Sequence, residues 1–460
     1  TPREASTQHH SWCSTDFAES HGRIKHRYQL FGIPNRQKCS SQSIRLGRHS
    51  IGISGRHCLL CFAVLMILIA GLRFIRPLNK ASDSLADVSH VTMAETHEAR
   101  HGLLVRVVGI ALGGRVDGQL CQLWYRRDTS AWYQRSAMVA VPATAEIVPG
   151  GHAWPYDYVV ISCINPARDR EVGLCSAHAV HPVLALPSEP VRNGRFAVCM
   201  SPLQSKYDKV DELVQTLELN RLFGADHFFV YKHSTSRRVT ELLSNKHFAS
   251  DVTVLPFQPP LKVDVDPQPP GYVVELKYFG QCAMLQDCLM RAAAQYEFAV
   301  FTDMDEVIVP RGERFRSWRD LTRAFMSDGS IGGLAFKNAF FRLEWASDPE
   351  VSRNATITGL KLSALLKLRR EAEIYSPISR SKMIAQPHHV RILGVHNVWR
   401  YFNGRSTEYV KFETAGLHHY RRWGRGLEKK SVRDPAMLLY KEQLIARVLR
   451  ARIALRLPVQ

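Results

Sequence analysis

The stretch YEFAVFTDMDEVIVP, Tyr296–Pro310, sets three carboxylates, Asp303, Asp305 and Glu306, between two apolar runs. Carboxylates this close repel one another and resist burial, so a metal ion, a proton or solvent has to separate them. The segments upstream choose the setting. RFAVCMSPL reads as a strand entering a loop. DKVDELVQTLELNRLFGA reads as an amphipathic helix, with Val210, Leu213, Leu217 and Leu222 near one face and Gly224 stopping it. DHFFVYK is the next strand, VTELLSNK a short helix and DVTVLPF a third strand, followed by a proline-rich loop through Pro270. YFGQCAMLQDCLMRAAAQY is another helix, and FAVFTDMDEVIVP a fourth strand ending in the acidic cluster. This order predicts an open α/β sheet, with ligands at the carboxyl ends of its strands.

In extended backbone, side chains at i and i+2 point the same way. Asp303 and Asp305 are therefore expected to face one point, with Met304 turned to the core. Two converging carboxylates with open positions beside them suit Mg²⁺ or Mn²⁺, which also holds substrate phosphates. The alternative is a solvated turn. Two enzyme classes place D-x-D after an apolar strand. Haloacid dehalogenase-type phosphatases put it near the start of the fold and need a later acidic pair with a lysine. GT-A glycosyltransferases put it mid-domain. Three strands precede this one and no paired-Asp motif follows, which favours the second class.

Four segments then carry a family resemblance: CMSPLQSKYDKVDELVQTLELNRLFGADHFFVYKHS, YFGQCAMLQDCLMRAAAQYEFAVFTDMDEVIVP, SKMIAQPHHVRILGVHNVW and LHHYRRW. In order and spacing they resemble glycosyltransferase family 92 over roughly residues 196–425. The resemblance implies a GT-A, Rossmann-like nucleotide-diphospho-sugar transferase fold, a lumenal Golgi location, Mn²⁺, and a UDP-sugar donor, UDP-galactose in characterised members. It also implies transfer of galactose to a glycan with inversion, making β-linkages. The sequence departs from the family at Met304 and in the loop PLKVDVDPQPPGY.

Roles follow from the chemistry. The departing diphosphate needs neutralising, and Asp303 and Asp305 are the candidate metal ligands, joined by one of His418 and His419. The alternative for the histidines is a structural pair at a strand end. Lys382 and Arg421 are candidate diphosphate contacts, and Ser201 and Pro202 candidate shapers of the donor loop. Inversion needs a carboxylate base. Glu344, Asp348 and Glu413 are available; Glu344 is preferred because it follows an apolar run and precedes Trp345. Glu306 is the other catalytic candidate, with orienting the ligands or capping the turn as its simpler role. The rival class is a catalytically silent, membrane-tethered glycan-binding protein with a GT-A shell.

The remaining sequence sets the compartment. CLLCFAVLMILIAGL, Cys58–Leu72, is apolar and uncharged, extended by Arg73 to Arg76, and a strongly basic tail precedes it. This pattern predicts a single-pass type II signal anchor with the catalytic part in the Golgi lumen. The expected organisation is a cytosolic tail over 1–57, a transmembrane segment over 58–76, a stem over 77–100, a β-rich domain over 101–195, the catalytic domain over 196–430, and a basic amphipathic helical segment over 431–460. That last segment is expected to pack on the catalytic domain, with lipid headgroups or an acidic patch as alternatives. The net charge of +19 would suit nucleic acid, anionic lipid, or anionic ligands such as nucleotides and acidic glycans. Nucleic-acid motifs are missing, so a nucleic-acid partner is not expected. The expected partners are the donor and a glycoprotein or glycolipid acceptor. Cys121, Cys163, Cys175, Cys199, Cys282 and Cys288 form an even set suited to disulfides, with Cys282 and Cys288 not expected to bond each other. Asn354 opens a glycosylation sequon.

Overall fold

Apolar strands separated by helices assemble into two principal sheets, seen in a computed structural model. The structure describes residues 97–99, 102–112, 120–126, 136–149, 155–165, 172–175, 180–182, 194–259, 261–264, 268–276, 278–423 and 430–459. The expected tail and anchor lie outside these residues, as does nearly all of the stem. No helix among the described residues is long and apolar enough to cross a membrane.

The first sheet is antiparallel: β1 (His97–Ala99), β2 (Gly102–Leu112), β3 (Leu120–Arg126), β4 (Ser136–Ile147), β5 (Tyr156–Asn165), β6 (Val172–Cys175) and β7 (Val180–Pro182), in the order 1-2-5-4-3-6-7. The Cys121–Cys163 disulfide joins β3 to β5. Val108, Ile110, Tyr158 and Val160 pack with Met290 and Ile392 of the following unit. Glu146 on β4 is paired to Arg391 at 2.7 Å.

The second sheet is built from β8 (Phe196–Leu203), β9 (Ala225–Lys232), β10 (Val252–Pro256), β11 (Phe298–Thr302), β13 (Ile331–Phe336), β16 (Lys382–Ala385) and β19 (Ser406–Val410), in the order 10-9-8-11-16-13-19. Strands β8 to β11 are parallel, and β16 runs antiparallel to β11. Between β8 and β9 runs α1 (Val210–Phe223), between β9 and β10 α2 (Arg237–Leu243), and between β10 and β11 α3 (Gln281–Ala293). From β8 the chain steps outward through β9 and β10, then returns to place β11 on β8's other side. The order therefore reverses between β8 and β11, and the crevice beyond their carboxyl ends is where open α/β sheets hold ligands.

A third, smaller sheet of β12 (Glu306–Pro310), β20 (Ala415–Arg421) and β14 (Asn338–Arg342) lies next to the second. Two strand pairs complete the set: β15 (Arg369–Glu371) with β21 (Ser431–Arg433), and β17 (Val390–Leu393) with β18 (Val398–Tyr401). Helix α4 (Trp318–Phe325) opens on a capping box made by Ser317 and Asp320. The last helix, α5 (Lys441–Ala454), lays Leu444, Val448 and Ala451 into the same core as α1.

Two expectations need correcting. The fourth strand is two strands in different sheets, β11 and β12, and the acidic cluster is the turn between them. The backbone there is not extended: the Glu306 N–H donates to the Asp303 carbonyl at 3.2 Å, closing a tight turn. SPLQ is likewise not a loop, because β8 continues through Leu203. The cysteine pairing, left open by the sequence, includes Cys199–Cys288, which ties β8 to α3, while Cys282 is buried outside both disulfides.

Candidate active site

The Asp303–Glu306 turn sits at the β8/β11 switch point because β11 pairs with β8 in register, Thr302 opposite Met200. The turn is fixed from several sides. Met304 is buried in the main core. Thr216 on α1 donates its hydroxyl to the Met304 carbonyl at 2.9 Å. Glu306 accepts the Asp303 N–H at 3.2 Å. On the far side of β12, Glu306 stands opposite His419 of β20 in the antiparallel register. A histidine from more than a hundred residues downstream thereby joins the cluster.

The two aspartates have different surroundings. Asp305 Oδ2 lies 3.2 Å from His419 Nε2. The other ring nitrogen, Nδ1, lies 3.0 Å from Glu306 Oε1. Burial favours neutral forms here. For His419 the charges of Asp305 and Glu306 outweigh burial and raise its pKa to about 9. For Asp305, His419 and then Arg421 outweigh burial and hold the carboxyl far below the ordinary range. Asp303 instead accepts from Lys382 Nζ at 3.0 Å and Gln281 Nε2 at 2.7 Å. Lys382 also reaches Glu306 Oε2 at 3.4 Å and is 2% exposed. Burial opposes its charge, yet Asp303 and Glu306 outweigh that and raise the ammonium above its ordinary value. Lys382 thus spends its charge on the turn's own carboxylates.

Gln281 reaches Asp303 through an unusual entry into α3. Phe279 and Gly280 both take positive φ, 52° and 76°. A side chain at Gly280 would meet the Phe257 ring at 2.9 Å, so this position needs glycine on both counts. A second strained pair follows β8: Ser205 and Lys206 have φ of 54° and 53°, with the Lys206 N–H donating to Ser234 Oγ at 3.1 Å. The loop facing the crevice is therefore Gln204–Lys209, just beyond Ser201 and Pro202.

The histidines part company. His418 is fully buried on the opposite face, accepting from Arg311 at 3.1 Å, and its pKa falls to about 3, mainly through burial. His419 is the one beside Asp305. Arg421 stacks on Trp423, 5.0 Å from its ring centre, near enough to Asp305 to favour its charge. Glu344 follows β14 and accepts the Trp423 N–H at 3.2 Å. Asp348 is engaged by Arg433 at 2.8 Å. Glu413 lies in the turn that precedes β20, at the opposite end of that strand from His419. Asn354 caps a helical turn, accepting the Ile357 N–H at 3.1 Å.

A cavity of about 170 Å³ opens beside the turn, lined among others by Asp305, Glu212, Lys361, Ser363, Leu343 and Tyr420. Glu212, in the first turn of α1, is hydrogen-bonded by Tyr207 at 3.1 Å and paired with Lys209 at 3.2 Å. Burial raises its carboxyl above the ordinary range, with Lys209 pulling the other way. Glu212, Thr216 and Gln281 escape a sequence reading, since an acid or amide in a first helical turn and a threonine in mid-helix carry no distinguishing signal.

Among the described residues no group of three or more His, Cys, Asp or Glu side chains forms a ready metal cage. The Asp305–His419 pair is at hydrogen-bonding distance, a spacing that two ligands of one ion would also share. Two ligands at about 2.1 Å in adjacent octahedral positions lie about 3.0 Å apart, close to the Asp305–His419 separation of 3.2 Å. Glu306 holds the opposite ring nitrogen, the usual outer support of a metal-bound histidine.

Carboxylates and an imidazole at the switch point of a mixed α/β sheet define a ligand-binding α/β protein. The comparisons narrow this: the chain belongs to glycosyltransferase family 92, whose model matches residues 194–446. Among relatives, the glycosyltransferase family 92 protein F13G3.3 of Caenorhabditis elegans is 26% identical over 230 residues, covering 50% of this chain and 41% of that protein. The family 92 protein F59C6.8 of the same organism is 22% identical over 150 residues, 32% of this chain and 27% of its own. The match thus spans less than half the length of these relatives. Solved structures include glucosyl-3-phosphoglycerate synthase from Mycobacterium tuberculosis in complex with Mn²⁺, UDP-glucose and phosphoglyceric acid, 12% identical over 58% of this chain and 81% of that one, TM-score 0.26. S. aureus TarS in complex with UDP-GlcNAc is 12% identical over 56% and 73%, TM-score 0.29. Likeness at these scores carries no argument about this chain.

Proposed function

We propose that this chain is a GT-A glycosyltransferase that moves a hexose, galactose from UDP-galactose, to a glycan with inversion, assisted by Mn²⁺ or Mg²⁺. The observation that carries the reading is the Asp305–His419–Glu306 relay, placed at the β8/β11 switch point in a chain of family 92. Asp305 and His419 Nε2 would hold the ion, which supplies positive charge to a departing diphosphate. Binding an ion at Nε2 would displace the proton that the raised pKa of His419 keeps there, with Glu306 accepting the proton left on Nδ1. Lys382 neutralises Asp303 and Glu306, allowing three carboxylates to share one turn, and Gln281 fixes Asp303. Arg421, near enough to Asp305 to favour its charge, is the candidate cation for the diphosphate. Glu344 is the base candidate, next to Leu343 of the cavity wall.

The membrane-anchored, Golgi-lumenal setting rests on the apolar segment after a basic tail, and the two disulfides suit an oxidising lumen. Asn354 is partly exposed, and its cap engages Oδ1, leaving the amide nitrogen for a glycan. Family membership sets the phosphatase alternative aside. The test is calorimetric titration of UDP with Mn²⁺ and with chelator, for wild type, Asp305→Ala and His419→Ala. Metal-dependent binding lost in both variants supports the reading. Metal-independent binding, or none from folded protein, refutes it and favours the silent glycan-binding alternative.

A further inference from the structure

At the opposite end of β12 from Asp305, the Tyr440 hydroxyl donates to the Pro310 carbonyl at 2.9 Å and closes the floor of a second concavity. Its volume is about 710 Å³, and its walls come from α5, the end of α1 and the residue entering α4's cap. Three guanidiniums line it: Arg316, Arg447 and Arg450. Of the nearby acids, buried Glu218 is shared between Arg221 and Arg447, the latter pair at 3.8 Å, and Asp320 serves the α4 capping box and the Arg316 N–H. Arg316 and Arg450 are exposed and form no ion pair among the described residues. Three guanidiniums against one shared carboxylate leave the concavity net positive, and an anion relieves their mutual repulsion.

The shape narrows the anion. The volume far exceeds that of one inorganic ion and falls in the range of organic ligand sites. Guanidinium forks match the paired oxygens of sulfate and phosphate esters. Gln443 adds an amide for hydroxyls, and Leu222 and Ala446 add small apolar patches. The site is concave, and no large exposed apolar side chain lines it for insertion into a bilayer. We propose that this groove binds a sulfated or phosphorylated segment of a glycan, its oxyanions held by Arg316, Arg447 and Arg450. The assignment is independent of the donor site, which lies at the other end of β12.

The test uses the full chain in nanodiscs of uncharged lipid, titrated calorimetrically with a heparin-derived tetrasaccharide and with its desulfated counterpart. Arg447→Glu/Arg450→Glu is compared with Arg238→Glu/Arg353→Glu, which makes the same charge change at exposed sites outside the groove. The groove variant is expected to weaken binding roughly tenfold or more, and the control less than about threefold. Metal-dependent UDP binding on the same samples reports that the fold is intact, and the milder Arg450→Gln replaces the double variant if it does not fold. Equal losses in both double variants would mean non-specific attraction to the net charge and overturn the proposal, as would equal binding of the desulfated sugar. No response to the sugar, with slower amide exchange over 441–454 in anionic-lipid nanodiscs, would assign the groove to a membrane surface and also overturn it.

Discussion

Replacing Lys382 by methionine separates two roles for this side chain. The ammonium is 2% exposed and sits 3.0 Å from Asp303 and 3.4 Å from Glu306. With an effective dielectric constant near 20, each contact is worth about 5 kcal/mol before desolvation is subtracted. The two carboxylates respond differently to loss of the lysine. Asp303, with 29% of its side chain exposed, regains water; Glu306, with 3%, does not. Removing one partner of a buried pair typically costs about 3–5 kcal/mol, and rehydration of Asp303 places the expected loss near the lower end. For a unit of this size that is a fall of roughly 6–12 °C in thermal midpoint. Adding Glu306→Gln to Lys382→Met should restore part of the loss, because the uncompensated buried charge is then gone. Thermal unfolding of the single and double variants, followed by fluorescence, makes the measurement. A Lys382→Met protein as stable as wild type but with UDP affinity down tenfold would refute this account and return Lys382 to the diphosphate.

Further expectations concern pH, covalent links and glycosylation. His396 is half-buried, and desolvation followed by the charge of Lys382 lowers its pKa from 6.5 to about 4. A depressed imidazole contributes stability that is complete above about pH 6.5 and is lost as pH falls through 4, about 3 kcal/mol at most. His396→Gln should flatten that acid limb in pH-dependent unfolding, leaving the share due to buried His418; an unchanged limb would reject the assignment. Cys288→Ser opens the Cys199–Cys288 link, which closes a separation of 89 residues, and should cost about 2–4 kcal/mol by denaturant unfolding without reductant. Asn354→Ala should lose about 1 kcal/mol with the helix cap, whereas Asn354→Asp keeps the cap and loses only the sequon. Mass analysis of Asn354→Asp and wild type, both expressed in the secretory pathway, reads the glycan separately from stability.

Local pattern is sufficient for the existence of the elements from Phe196 to Thr302, but not for the faces of α1, where Gln215, Thr216, Glu218 and Asn220 are buried with the apolar residues and Leu222 is only half-buried. It is also insufficient at the acidic cluster. An extended D-x-D and a tight turn have the same composition, and what decides between them is the second sheet into which β12 folds. That sheet depends on β20 lying between β12 and β14, a pairing across more than a hundred residues that no local signal encodes. The histidines show the same limit. β20 is buried along almost its whole length, so apolar alternation does not reveal which of His418 and His419 faces Asp305. Lys382 looked like an anion contact because a lysine's partner is a tertiary fact. The basic groove of Arg316, Arg447 and Arg450 draws on two segments separated by more than a hundred residues and leaves no mark in either.

The turn from Asp303 to Glu306 is also a joint. It carries the chain from β11 in one sheet to β12 in another, and Asp305 and His419 sit on either side of the β12–β20 pairing. Their separation therefore measures how the smaller sheet is docked. A substitution that slides β20 against β12 would widen the pair before either sheet melted. The affinity of the ion proposed for this pair would then act as a strain gauge for the junction, failing at perturbations too mild to register as unfolding.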